Sequence, residues 1–347
     1  MVRQPRIEPE FRARYGIIAD DLTGACDTGV QFARCGFLTV VQIARGRTQE
    51  PAEVTVLSTD SRADGPAASR RKVREACRTL RGWDARLIYK KIDSTLHGNV
   101  VVEIAAAMEM TGRRRAVMAP AFPAMGRTVV EGRLYVAGEP QQLIATKEGI
   151  EVADASTQAE LEQVAREALE AWPELVLAGS GGLAMEVARW LAHRHARRPR
   201  STATPRGGAG PARLFIGSAN PVTARQVAAL EASRARALAE GRISVERLQR
   251  AGADSRAAVE RIRALVASST AGIFVTGGDT AHLVFRALEV ESIQLMDEVA
   301  AGIPWGRIGG GLADGRTVVT KAGGFGNEES LTNVADFLAP DCATVES

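Results

Sequence analysis

One unit recurs along this chain: an apolar run of strand length, a short loop rich in Gly, Asp, Ser or Thr, then an amphipathic stretch of helical spacing. Parallel neighbours cannot be joined by a tight turn, so strands separated by helix-length connections specify a parallel sheet with crossover helices. YGIIA (15–19) leads through DDLTG to a helix that ends near Cys35, with Gly36 as its stop. VTVLS (54–58) leads through TDSR to a basic helix starting near Ala67. RLIYK (86–90) leads through KIDSTLHG to VVVEIAAAMEM, RAVMA (115–119) leads into PAFPAMG, and ELVLA (174–178) passes through GSGG into LAMEVARWLAHR.

The pattern breaks at residues 196–212, ARRPRSTATPRGGAGPA, where Pro, Gly, Arg and Ser replace any periodicity, as in an interdomain linker. It resumes with RLFIG (213–217), the loop SANP and a helix from Val222 through Leu230, then GIFVT (272–276), GGDT and the helix AHLVFRAL. At 347 residues the chain is long for one core and fits two. The expectation is an α/β fold of two domains, 1–195 and 213–347, joined by the linker 196–212. Each domain has a largely parallel sheet flanked by helices, and the active site lies in the interdomain cleft.

Charge narrows the partners. Forty-four basic residues against 41 acidic ones leave a net charge of +3, and the Arg runs are short and lack interleaved aromatics. That composition argues against nucleic acid. Four cysteines without CxxC spacing and four histidines argue against a structural metal site, and reduced thiols fit a cytoplasmic protein. The polar start MVRQPRIEPEFRAR and the lack of any apolar run of membrane-spanning length give no signal for secretion or a membrane.

In open parallel sheets ligands bind beyond the carboxyl ends of the strands, so the loops are where chemistry is sought. The first domain's loops supply Asp20 and Asp21, then Asp60, Ser61 and Arg62, then Lys91, Asp93, Ser94, Thr95 and His97. Helix N-capping accounts equally well for any one of these acids. Three such loops, with a cation beside two of them, exceed what caps require and suit a polyhydroxylated acid. Carboxylates would accept from its hydroxyls, and Arg62 and Lys91 would pair with its carboxylate.

The second domain's loops differ in kind. VTGGDTAHLVF places Gly277, Gly278, Asp279 and Thr280 at a helix start, offering free amides and a positive dipole end to a phosphate. VTKAGGFG adds Lys321, Gly323 and Gly324, and GSANP adds Ser218. A tight turn explains each glycine pair as well as a phosphate cradle does. None matches GxxxxGK[ST] or GxGxxG, which counts against a dinucleotide oxidoreductase.

Taken in order, IIADDLTGA, TDSR, YKKIDSTLHGN, APAFPAMGRTVVEGRLYV, AGSGGLA, GSANPVTARQ, VTGGDTA and VTKAGGFGNEESL resemble the four-carbon acid sugar kinases, once catalogued as a domain of unknown function. The resemblance covers nearly the whole chain. It implies ATP-dependent phosphorylation of threonate, erythronate or 3-oxo-tetronate, with Mg²⁺ bridging the phosphates. It assigns the sugar acid to Asp20 or Asp21, Arg62 and the segment from Lys91 to Thr95. It assigns ATP to Ser218, the segment from Gly277 to Thr280, Lys321, Gly323 and Gly324. Asp93 or Asp21 is the implied base, with Asp279 as its rival, and self-association into a homo-oligomer is left open. Three departures stand out: His97 replaces a customary Arg, GSANP replaces GSCSP or similar, and the stretch 136–156 is several dozen residues shorter than usual. A regulator that keeps the cleft and has lost turnover is the competing reading.

Overall fold

A computed structural model describes residues 14–43, 52–199, 210–248, 256–267 and 270–340. Most of the expected linker (200–209) and Cys342 lie outside these residues. The first half runs β1 (Arg14–Ala19), α1 (Leu22–Arg34), β2 (Thr39–Gln42), β3 (Val54–Ser58), α2 (Pro66–Gly82), β4 (Ala85–Lys91), α3 (Val100–Thr111) and β5 (Arg115–Ala119). A three-stranded meander of β6 (Arg127–Val130), β7 (Arg133–Val136) and β8 (Glu139–Leu143) projects from it. β9 (Ile150–Val152), α4 (Gln158–Glu170), β10 (Leu175–Gly179) and α5 (Gly181–Arg194) complete this half.

The second half begins with β11 (Ala212–Ile216), α6 (Pro221–Ser233), α7 (Ala235–Ala239), β12 (Ile243–Arg247) and α8 (Arg256–Ala267). It continues with β13 (Gly272–Thr276), α9 (Gly278–Ala287), β14 (Ser292–Ala300), β15 (Ile303–Gly309), β16 (Thr317–Lys321) and α10 (Ser330–Leu338). α1, α2, α3, α5, α6 and α9 start within about three residues of where the sequence places them, and Gly36, at φ +92°, follows α1 as its stop.

The two expected sheets are one. Its strand order is β12-β11-β13-β16-β15-β14-β2-β3-β1-β4-β10-β5-β9. β2 through β9 form an all-parallel block, and β12, β11, β13 and β16 form a second. Between them the antiparallel pair β14 and β15 docks on the edge strand β2, with Ser292, Ile293 and Gln294 facing Gln42, Val41 and Val40. An edge strand offers a row of unpaired backbone groups, and β14 consumes it. The core follows the sheet: one apolar cluster extends from Ile17, Val56 and Tyr89 to Phe215, Val275, Phe285 and Ile308. α1 sits at its middle, with Leu22 through Ala33 all buried. Among the described residues no helix is long and apolar enough to cross a membrane.

Candidate active site

β1, β3 and β4 are adjacent and parallel, so their carboxyl-end loops fall side by side. Arg62 lies at the centre of the result. Its Nε and Nη2 donate to Asp20 at 2.7 and 2.9 Å, and its Nη1 and Nη2 donate to Asp21 at 3.0 and 2.8 Å. Asp93 stands 3.8 Å from Nη1. Burial alone would drive protons onto these acids. At Asp20 the bidentate guanidinium, helped by Lys90 and Lys91, outweighs burial and holds the carboxyl below its ordinary value. At Asp21 burial and the neighbouring Asp20 charge outweigh Arg62, and its carboxyl is pushed up. At Asp93 burial is overcome by His97, Arg62, Lys91 and Thr95, which hold it well below the carboxylate range.

Asp21 combines a helix cap with a place on the cavity wall. It caps α1, accepting from Gly24 N at 2.9 Å and Thr23 Oγ1 at 2.7 Å, while facing the cleft. Asp93 caps no helix; its Oδ2 accepts from Thr95 Oγ1 and N and from His97 N, with His97 Nδ1 at 3.0 Å. Thr95 therefore spends its hydroxyl locally, whereas Ser94 faces an inner pocket. Lys91 faces that pocket too, its Nζ donating to the Ile92 carbonyl.

The preceding lysine does something else. Successive strand residues point to opposite faces, so Lys90 lies under the loops, ion-paired to Glu103 at 2.7 Å. Glu103 also accepts from Ser61 and Ser69, each at 2.6 Å. This wholly buried network braces the TDSR loop that carries Arg62. Sequence reasoning did not single out Lys90 or Glu103.

Across the cleft, Ser218, Gly277, Gly278, Asp279 and Thr280 line a cavity of about 440 Å³ together with Asp21, Asp60, Arg62 and His97. His282 on α9 stands 3.7 Å from Asp60. Gly277 has φ +97° and no side chain caps α9, so the amides of its first turn face the cavity. At Gly278 an added Cβ would lie 2.8 Å from Asp21 Oδ2, so the two halves meet here with no room for a side chain. Gly278→Ala is accordingly expected to lower kcat/KM in an ADP-release assay by about 10²-fold, since displacement of a reacting group by an ångström costs that much. Activity within about threefold of the parent would mean that the halves work farther apart than this contact.

Gly323 and Gly324 are held in place by α6: Thr223 Oγ1 donates to Gly323 O at 2.8 Å and Gln226 Nε2 to Phe325 O at 3.0 Å. Lys321 departs from the expected role. It is fully buried, and its Nζ donates to the carbonyls of Ala322, Gly323 and Phe325 at 3.1 to 3.2 Å. Burial lowers its ammonium pKa to about 7. Its cation braces the glycine loop from beneath instead of facing a phosphate.

The inner pocket, about 30 Å³, shares Asp21 and Arg62 with the larger cavity. Thr23, Gly24, Asp27, Lys91, Asp93, Ser94, Ser180 and Gly181 of the first half line it, together with Ala322 and Phe325 of the glycine loop. Asp27 was missed in the sequence because it sits mid-helix; the available signal was a lone carboxylate in an otherwise small and apolar segment, LTGACDTG. Among the described residues no group of three or more His, Cys, Asp or Glu forms a metal-holding cluster.

One half thus presents carboxylates and cations, the other glycine amides. Residues 15–147 match a sugar-binding N-terminal domain and residues 244–331 a nucleotide-binding C-terminal domain. A D-threonate kinase from Bordetella bronchiseptica is 33% identical over 406 aligned residues, spanning 93% of this chain and 97% of that protein. A D-erythronate kinase from Heliobacterium modesticaldum is 27% identical, spanning 93% and 96%. The Bordetella alignment is longer than this 347-residue chain, so that relative carries segments absent here. A Haemophilus influenzae structure classed under a domain of unknown function superposes with a TM-score of 0.67 at 19% identity, over 93% of this chain and 100% of its own. These features define a phosphotransferase that acts on a small molecule from a nucleotide phosphate donor. The chain belongs to the four-carbon acid sugar kinase family.

Proposed function

We propose that this chain is an ATP-dependent kinase that phosphorylates a hydroxyl of a four-carbon sugar acid, with threonate, erythronate and 3-oxo-tetronate as candidate substrates. The observation that carries the reading is the contact of Asp21 with Gly278, which brings an acid-and-cation loop set against a glycine amide loop set in one cleft. The division of labour follows: residues 1–195 hold the sugar acid and 213–347 hold the nucleotide. The names of the Bordetella and Heliobacterium relatives support a four-carbon acid.

ATP fits the second half. The uncapped N-terminus of α9, the close-approach backbone at Gly278 and the Gly323-Gly324 loop offer amides to phosphate oxygens. Mg²⁺ fits as a partner of the phosphates, which need only one or two carboxylates from the protein; Asp279 at the cavity wall is the residue suited to it. When bound, it would neutralise charge on the transferring phosphoryl group. In the first half Asp20, Asp21, Lys91, Asp93 and Ser94 would accept from or donate to the acid's hydroxyls and carboxylate. Arg62 has one N–H remaining after its four bonds to Asp20 and Asp21, so its main work is to hold those acids in place.

The test is a coupled ADP-release screen over threonates, erythronates, 3-oxo-tetronates and related acids, with and without Mg²⁺. ADP release that depends on one of these acids and on Mg²⁺ is the expected result. Measurable ATP binding with no release from any acid would overturn it in favour of a nucleotide-binding regulator.

A further inference from the structure

Phosphoryl transfer to a hydroxyl leaves a proton to be taken up, and the cleft holds four candidate carboxylates besides Asp20 and the exposed Asp60 of the outer cavity. Asp93 is already occupied by Thr95, His97 and Arg62 and held strongly acidic, which makes it a weak base. Asp21 accepts from Gly24, Thr23 and, twice, from Arg62. Asp279 is exposed on the wall of the outer cavity. Asp27 differs from all three. It is 3% exposed, it lines the inner pocket, and its Oδ1 is buried with no hydrogen-bond partner.

The helix explains why it faces there. Gly24 and Asp27 are three residues apart and share a face of α1. A Cβ at Gly24 would lie 2.5 Å from Asp21 Oδ1 and 3.2 Å from Lys91 Nζ. Asp27 occupies the next turn of that face and lines the pocket together with Ala322 and Phe325 of the glycine loop, its Oδ2 2.7 Å from where a Cβ of Gly181 would stand. A hydroxyl entering the pocket would share it with both Asp27 and the loop of the nucleotide half, and Asp21 and Arg62, which line both spaces, join it to the larger cavity. The pocket has room for a hydroxyl and little more.

We infer that Asp27 is the general base of the reaction: its carboxylate takes the proton of the substrate hydroxyl as that oxygen attacks the γ-phosphorus. The new O–P bond forms as the bond from phosphorus to the ADP oxygen breaks, ADP leaves with the electron pair, and Asp27 returns the proton to solvent when products depart. This rests on the kinase reading above. The surroundings suit the role. Burial pushes the Asp27 carboxyl up to about 7, opposed by Lys91 on β4 and assisted by Glu298 on β14, Asp21 and Asp93. The Tyr89 phenol on β4 and the Cys26 thiol on α1 are coupled to it as well, each raised above its ordinary pKa first by burial and further by the Asp27 charge.

Asp27→Asn tests this. The variant is expected to lose about 10²- to 10⁴-fold in kcat, the usual range for a general base, with KM for ATP little changed. In the parent, kcat should rise with pH through a limb near 7, and that limb should vanish in the variant. A raised carboxyl pKa means that the folded state binds more protons than the unfolded state between about pH 4 and 7, so this group costs stability as pH rises. Asp27→Asn should consequently melt no lower than the parent at pH 8, which separates the kinetic loss from misfolding. An infrared carboxyl band that titrates near 7 in the parent should be absent from the variant. A variant that keeps kcat within about threefold, or that loses kcat with the pH limb intact, overturns the assignment and leaves the kinase reading standing. A parent that releases no ADP with any acid overturns both.

Discussion

Arg62→Ala is expected to cost about 3–5 kcal/mol of stability and to abolish measurable turnover, because it removes one partner from a buried ionic cluster and leaves the others charged. Asp20, Asp21 and Asp93 would face one another around an empty centre. They would respond by taking up protons, so the pH dependence of the effect is fixed in sign. Asp20 and Asp93 are held below their ordinary pKa values, and Arg62 is a principal cause at each. A depressed carboxylate contributes stability that is present above its unfolded pKa, about 4, and is lost as pH falls through the folded value. The parent should therefore lose stability on acidification, and Arg62→Ala should lose far less. The gap in melting temperature should be at its full width above about pH 5 and should narrow as pH falls below about 4. Arg62→Lys should fall between, since an ammonium restores charge without the two-pronged fork. A melting temperature for Arg62→Ala within about 2 °C of the parent at every pH would show that the clamp contributes nothing.

Glu103→Ala should be nearly as damaging, for a different reason. Lys90 and Glu103 are fully shielded from water, and Lys90 has Glu103 as its counter-ion at 2.7 Å. Removing the carboxylate strands a buried ammonium and two serine hydroxyls, at an expected cost of about 3–5 kcal/mol. Replacing both members, Lys90→Met with Glu103→Leu, should recover much of that loss, because the desolvation cost goes with the pair. Ser61 hangs on this network one residue before Arg62. The single variant should therefore also raise KM for the acid substrate, and the double variant should keep that kinetic defect even where its melting temperature recovers. A single variant no less stable than the double would refute the account.

Much of the fold is legible in the sequence because its units are local. Each strand, loop and helix of the βα pattern occupies a few contiguous residues, and periodicity, Gly36 and the caps mark their limits. The antiparallel elements were not legible in the same way. β14 mixes apolar residues with Gln294, Asp297 and Glu298, and nothing within 292–300 announces that β2, some 250 residues earlier, will pair with it. The stretch 136–156 is the one that the resemblance leads one to expect to be shortened. It contributes only the exposed strand β8 and the three-residue β9, and it joins the meander to α4.

The site divides along the same line. The sequence by itself determined which loops carry polar chemistry, that acids and cations gather in one half and glycines in the other, and to which family the motifs point. Only the tertiary structure decided what each charge does. Lys91 and Lys321 are both cations at the carboxyl end of a strand, yet one faces the inner pocket and the other is folded under its own loop as a brace. Asp93 and Asp27 are both carboxylates in that pocket, yet hydrogen bonds make the first strongly acidic and burial pushes the second up to about 7. The physical reason is that residue type fixes which charge a side chain can carry, while burial and neighbours brought from distant parts of the chain fix whether it carries that charge and what it touches.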